Sequence, residues 1–120
     1  MSWYAGKRVF VVGGSAGIGK AAALQLARQG AHVVVGARGL PKLEETVQAM
    51  RAAGQGEAQV LDFVTLDVTD ALSVREAAAK VLDRLDGLDV LVCNSGFAHT
   101  GVALAAAEDQ YDAMLNVNYL

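Results

Sequence analysis

A single cysteine, Cys93, and a single proline, Pro41, stand in this chain of 120 residues. One thiol cannot close an internal disulfide, so cross-links do not hold this fold, and the composition suits a reducing compartment. One proline against 13 glycines leaves turns plentiful and rigid linkers absent. Long apolar runs are missing as well. Nothing approaches the roughly 18–20 residues of a membrane-spanning helix. The apolar stretch behind Lys7-Arg8 is only Val9 to Val12, too short for a signal peptide. Positive charge is scarce: the net charge is −3 and the pI near 5.2, which excludes the basic stripe that tracks nucleic acid. No His, Cys and carboxylate cluster has metal-ligand spacing, so no metal is expected. The expectation is a soluble, cytoplasmic protein.

What the chain does contain is apolar: 53% hydrophobic against 19% charged residues, the balance of a globular domain rather than a disordered one. Its length suits one domain over residues 1–120. Val9-Phe10-Val11-Val12 has no polar alternation and reads as a strand buried on both faces. A glycine-rich turn follows, then a helix from about Gly17 to Gln29 with Ile18, Ala22 and Leu26 on one face and Gly30 as its stop. His32 to Val35 is a second strand. Leu40 to about Ala53 is a second helix, with Pro41 in its first turn, Leu43, Val47 and Met50 as its buried stripe, and Gly54-Gln55-Gly56 as its end. Val60 to Leu66 reads as a third strand.

The third helix is expected to begin near Ser73, where Ser73-Val74-Arg75-Glu76 matches a capping box. Val74, Ala78, Val81, Leu82 and Leu85 recur at helical spacing, and Gly87 closes the helix. Val90-Leu91-Val92 is a fourth strand, followed by a helical segment containing Tyr111, Met114 and Leu115. The order β-α-β-α-β-α-β-α implies a parallel sheet with helices on both faces, because each parallel crossover needs a return helix.

The most informative segment runs Val12-Gly13-Gly14-Ser15-Ala16-Gly17-Ile18-Gly19, directly after a strand and at the start of a helix. Gly13, Gly17 and Gly19 give the spacing G-x-x-x-G-x-G. Glycine permits positive φ and close approach of backbone N–H groups to a pyrophosphate. The helix N-terminus adds unsatisfied donors and a partial positive charge. Gly13, Ser15, Ala16, Gly17, Ile18 and Gly19 are therefore the expected cradle. The segment resembles the T-G-x-x-x-G-x-G fingerprint of the short-chain dehydrogenase/reductase family, with Val12 in place of the threonine. That resemblance implies a Rossmann-type three-layer α/β/α fold, a dinucleotide cofactor and a small carbonyl or alcohol substrate. It also implies a homo-oligomer in the full-length protein.

The resemblance continues along the chain. Asp67-Val68, at the end of the third strand, is similar to the family's adenine-contacting pair; the alternative is that Asp67 only caps the next helix. Cys93-Asn94-Ser95-Gly96 resembles the family's N-N-A-G, with Asn94, Ser95 and Gly96 implied near the nicotinamide ribose. Asn116-Val117-Asn118-Tyr119-Leu120 resembles V-N-x-x-G and gives Asn118 the role of the active-site asparagine; Asn116 is the alternative assignment.

Coenzyme choice is made just past the second strand. An acidic residue there binds ribose hydroxyls and selects NAD, whereas an arginine accommodates a 2′-phosphate. Here Ala37 occupies the acidic position and Arg38 follows it. No Asp or Glu lies between Gly30 and Lys42. A guanidinium holds phosphate through two N–H bonds, Ser15 can add a hydroxyl and Lys42 a point charge. NADP(H) is the expected cofactor.

Within the family the string is most similar to the 3-ketodihydrosphingosine reductase branch, which implies reduction of a ketone on a long-chain lipid precursor. Such a reaction needs a proton donor, and the resemblance implies a tyrosine with a lysine four residues later. Arg8 follows Tyr4 and Leu115 follows Tyr111 at that spacing, and Tyr119 has no fourth successor, so no Y-x-x-x-K exists. The chain is expected to be the cofactor-binding half, inactive alone. The rival reading is a non-catalytic nucleotide-sensing or interaction module. His99 reads as a loop histidine, His32 as structural, and Cys93 as a small buried hydrophobe.

Overall fold

Runs of β-branched residues build the centre of the computed structural model, which describes residues 3–93 except Gly14 and Ala16. Along the chain come β1 (Arg8–Val12), α1 (Gly17–Arg28), β2 (His32–Ala37), α2 (Leu40–Ala53), β3 (Leu61–Thr65), α3 (Ala71–Leu85) and β4 (Val90–Cys93). The strands form one parallel sheet in the order β3-β2-β1-β4. The expected helical segment around Tyr111 lies outside the described residues.

Strand register explains why alternation is missing from the sequence. Val9 and Val11 join Val33, Val35 and Val90 against Ala23, Leu26 and Ala27 of α1 and Leu43, Val47 and Met50 of α2. Phe10 and Val12 join Val34 and Leu91 against Val74, Ala78, Val81 and Leu85 of α3. Both faces are covered, so both sets of side chains must be apolar. α1 and α2 share one face and α3 lies on the other, which gives three layers.

Three local expectations change. Ile18 is not part of the buried stripe of α1: it is 78% exposed, and the buried line runs through Gly19, Ala23, Leu26 and Ala27. At 3.6 residues per turn the sheet-facing line is one position further along. Ile18 and Ala22 flank it and line a groove with Tyr4, Leu26, Val92 and Cys93. α3 begins at Ala71 rather than Ser73, because the Asp70 carboxylate accepts hydrogen bonds from the N–H groups of Leu72 and Ser73. Asp70 is thus the N-cap. Ser73 sits inside the first turn, where its hydroxyl accepts the Asp67 N–H at 2.9 Å. Cys93 is half-buried rather than fully buried, and burial pushes its thiol up from the ordinary value.

The amino ends of the strands are tied by polar contacts. Arg8 donates through Nε and Nη2 to the two carboxylate oxygens of Asp89, each at 3.0 Å, while its backbone N–H donates to Oδ2 at 2.9 Å. This fork joins β1 to the approach of β4, and the guanidinium bond is the main cause of the lowered Asp89 pKa. His32 accepts the Val60 N–H at Nδ1, 2.9 Å away, which fixes the entry of β3 beside β2. Among the described residues β3 is one of two outer strands, β4 being the other. Two of the groups on the β3 edge away from β2 are capped by side chains: Asp62 accepts the Phe63 N–H, and Arg51 donates to the Leu61 carbonyl. An edge closed in this way is a poor template for further strand pairing.

At the other end, Gly36 leaves no room for a side chain. A Cβ there would lie 2.9 Å from the Phe10 ring and closer still to the Leu66 side chain. Gly36→Ala should therefore lower unfolding free energy by about 1–3 kcal/mol through overpacking, read as a lower urea midpoint at unchanged m. The acid arm of stability should depend on Asp89. Its folded pKa is lowered, so its contribution is complete above the unfolded value of about 4 and is lost as pH falls through the folded value. Asp89→Asn should lower the neutral-pH midpoint and flatten the loss below about pH 4, measured by urea titrations across pH 3–7.

Candidate functional site at the carboxyl ends of the strands

The four strands end nearly level. Val12 pairs with Gly36 and with Cys93, and Ala37 pairs with Thr65. The turns after β1, β2 and β3 therefore share one rim. β1 lies between β2, reached through α1 on one face, and β4, reached through α3 on the other. The chain thus leaves the sheet centre in opposite directions, and ligands of open parallel sheets bind at such a switch point.

The glycine turn is shaped by two positive dihedrals. Gly13 has φ +81° and Gly17 φ +57°, values that side-chain-bearing residues rarely adopt. The Gly13 N–H donates to the Gly36 carbonyl at 2.7 Å, which ties the turn to β2. Of the expected cradle amides, that of Gly13 is thus already used within the protein. Gly17 and Ile18 are exposed at the start of α1, Ser15 is half-buried, and Gly19 is buried. A Cβ at Gly17 would meet nothing within 4 Å, so the need for glycine there comes from its positive φ rather than from crowding. The first turn of α1 holds no acidic residue, so its positive end is left for an anion from elsewhere. Ala16 and Gly14 lie outside the described residues.

Beyond β2, Arg38 is exposed, with 77% of its side chain open to solvent. Gly39 is the N-cap position of α2 and offers no side-chain cap. Lys42 is exposed on the first turn of that helix; its carbonyl accepts the buried Thr46 hydroxyl at 2.8 Å. The Leu66 N–H donates to the Ala37 carbonyl at 2.9 Å and carries the β2–β3 pairing past the end of the strand. That bond brings Arg38 and Asp67 to the same place. Arg38 Nη1 lies 4.0 Å from Asp67 Oδ2.

Asp67 is more firmly built than its neighbours. Oδ1 accepts from the Thr69 hydroxyl at 2.6 Å and from the Thr69 N–H at 2.9 Å. Its own N–H is held by Ser73. The Thr69 hydroxyl bond, then the Thr69 N–H, and to a smaller extent the Arg38 charge, hold the carboxyl below the ordinary range. The helix-cap alternative for Asp67 fails, since Asp70 caps α3. Val68 is half-buried and packs on the α3 side of the core. Thr69 and Ser73 were not among the expected site residues. The D-x-T spacing of Asp67 and Thr69 is an Asx-turn signal that could have found Thr69; Ser73 was read as a cap and needed the fold.

The structure thus places Gly13, Ser15, Gly17, Ile18, Gly19, Arg38, Lys42, Asp67 and Val68 on the turns and first helical residues that follow the first three strands. Arg38 and Asp67 are within reach of each other, and Asn94, Ser95, Gly96 and Asn118 lie outside the described residues. A dinucleotide fits this rim: a glycine turn opens onto a helix N-terminus free of acidic side chains, and an exposed guanidinium stands at the next strand. Among the described residues no helix is long and apolar enough to cross a membrane.

Comparison with known proteins agrees with this geometry. The chain is 38% identical to a 3-ketodihydrosphingosine reductase of Aspergillus fumigatus over 99 residues, 80% of this chain and 27% of the relative. It is 33% identical to the 3-oxoacyl-(acyl-carrier-protein) reductase of Thermotoga maritima, over 94% of this chain and 44% of that protein. The chain thus spans less than half the length of these relatives. The crystal structure of a Caenorhabditis elegans glucose dehydrogenase superposes with a TM-score of 0.76 at 31% identity, over 94% of this chain and 51% of that one. The sheet and helices are accordingly part of a Rossmann-like fold, with the nucleotide-binding portion at the amino-terminal side. The family model described as short chain dehydrogenase matches residues 7–120, and this chain belongs to the short-chain dehydrogenase family, oxidoreductases that use NAD(H) or NADP(H) and act on small molecules.

Proposed function

We propose that residues 1–120 are the coenzyme-binding domain of an NADP(H)-dependent oxidoreductase that moves hydride between the nicotinamide and a ketone or secondary alcohol. The observation that carries the coenzyme choice is Arg38, exposed at the carboxyl end of β2 with Ala37 where a carboxylate would select NAD. Its exposed guanidinium can turn toward a 2′-phosphate and hold it through paired N–H bonds. Lys42, one turn into α2, adds positive charge on the same side, and Ser15 a hydroxyl. The exposed start of α1, at Gly17 and Ile18, takes the pyrophosphate. Asp67, charged and fixed by Thr69, accepts from the adenine amino group, and Val68 offers its N–H to the ring.

The bound coenzyme would supply or accept the hydride; this chain's part is to hold and orient it. By resemblance, Asn94, Ser95 and Gly96 wall the nicotinamide ribose, and the Asn118 carbonyl holds a relay water. The tyrosine–lysine pair that would supply the proton is not among these 120 residues, so the chain alone binds rather than catalyses. For the substrate, the likeness to the Aspergillus fumigatus protein favours a 3-ketodihydrosphingosine-type ketone on a long-chain lipid precursor. A cytoplasmic location and a homo-oligomeric full-length protein belong to the same reading.

Arg38→Ala should weaken NADPH binding by about tenfold or more, since a hydrogen bond to a charged group contributes about 1.5–3 kcal/mol. NADH binding should stay unchanged. Titration of nicotinamide fluorescence with both coenzymes checks this. Tighter binding of NADH than of NADPH by the unmodified chain would refute the coenzyme choice.

A further inference from the structure

We propose that Asp67 is an intramolecular competitor for the Arg38 guanidinium and so limits how strongly the site discriminates a 2′-phosphorylated adenosine from an unphosphorylated one. The inference rests on the NADP(H) reading above and goes beyond it by naming a residue that opposes Arg38.

Three features of the structure place the competitor. The Leu66 N–H bond to the Ala37 carbonyl sets the loops after β2 and β3 side by side, so the proximity of residues 38 and 67 is a property of the backbone. The Asp67 carboxylate cannot swing away freely, because Oδ1 is engaged by both the hydroxyl and the N–H of Thr69, and Ser73 holds its amide. That leaves Oδ2, which faces Arg38 Nη1 at 4.0 Å. Arg38 itself is long, exposed and without a second ion-pair partner within 4.0 Å among the described residues.

A 2′-phosphate must therefore draw the guanidinium off an anion that stays in place, and it then sits near that same anion. An adenosine without the 2′-phosphate meets neither cost at Arg38. The carboxylate thus penalises the phosphorylated ligand selectively, by the small amount an exposed ion pair allows. Asn is the informative replacement: its amide oxygen still accepts from Thr69, so the loop keeps its shape while the charge is gone.

The test compares adenosine 2′,5′-bisphosphate with adenosine 5′-monophosphate, which differ only by the 2′-phosphate. The 120-residue chain is titrated at constant ionic strength and followed by backbone and Arg Nε–H NMR shifts, which report millimolar binding. The unmodified chain should prefer the bisphosphate, and Arg38→Ala should bring the ratio of dissociation constants near one. Asp67→Asn should raise that ratio about 1.5- to 5-fold over the unmodified chain. In the Arg38→Ala background the same change should move it much less.

A bisphosphate preference that Arg38→Ala abolishes but Asp67→Asn leaves unchanged or lowers overturns the competition and leaves the coenzyme reading intact. Equal affinity of the unmodified chain for the two nucleotides, or binding of neither, overturns both. In the ligand-free chain the Arg38 Nε–H signal should shift on Asp67→Asn; an unmoved signal removes the ion pair and the proposal with it.

Discussion

Val9, Phe10, Val11 and Val12 lie wholly out of water, bonded to β2 on one edge and to β4 on the other. Every layer of the structure meets at these four residues: Val9 and Val11 face α1 and α2, Phe10 and Val12 face α3. Burial of each such side chain contributes about 1.5–3 kcal/mol, and no polar group could take its place without a partner. Because β1 lies inside the sheet between β2 and β4, the turn that leaves it emerges where chain directions reverse.

That turn inherits its position from β1 and its shape from glycine. Gly13 is bonded to Gly36 across the strand ends, and Gly36 can have no side chain because Phe10 and Leu66 already fill the space. The same close approach keeps Leu66 bonded to Ala37, and so brings the loops after β2 and β3 together. Core packing and recognition are linked here by a single missing Cβ. The opposite rim shows no such tension: the Arg8–Asp89 fork and the His32–Val60 bond brace the amino ends of the strands, away from any expected ligand.

Charge around the rim is arranged unevenly. α1 begins without a carboxylate, and Arg38 and Lys42 stand exposed at the start of α2, a pattern that favours anions. Against this, Asp67 is kept ionised by Thr69. Positive and negative charge thus meet at one point of the rim, where Arg38 Nη1 lies 4.0 Å from Asp67 Oδ2.

Most of the architecture was legible in the residues alone. Unbroken valine runs announce strands covered on both faces, and the glycine spacing after the first run announces the turn. Local chemistry sufficed there because each signal lies within a few consecutive residues. Helix faces and caps were less secure. Ile18 shares a four-residue spacing with Leu26 yet points outward, since the sheet's position, not periodicity, selects the buried line. Ser73 looks like a cap, but Asp70 starts the helix three residues earlier by accepting from the Leu72 and Ser73 amides, and the Ser73 hydroxyl takes the Asp67 N–H instead. The meeting of Arg38 with Asp67, 29 residues apart in sequence, was beyond sequence altogether: parallel strand register alone sets two distant loops level, and register is decided by the packing of the whole sheet.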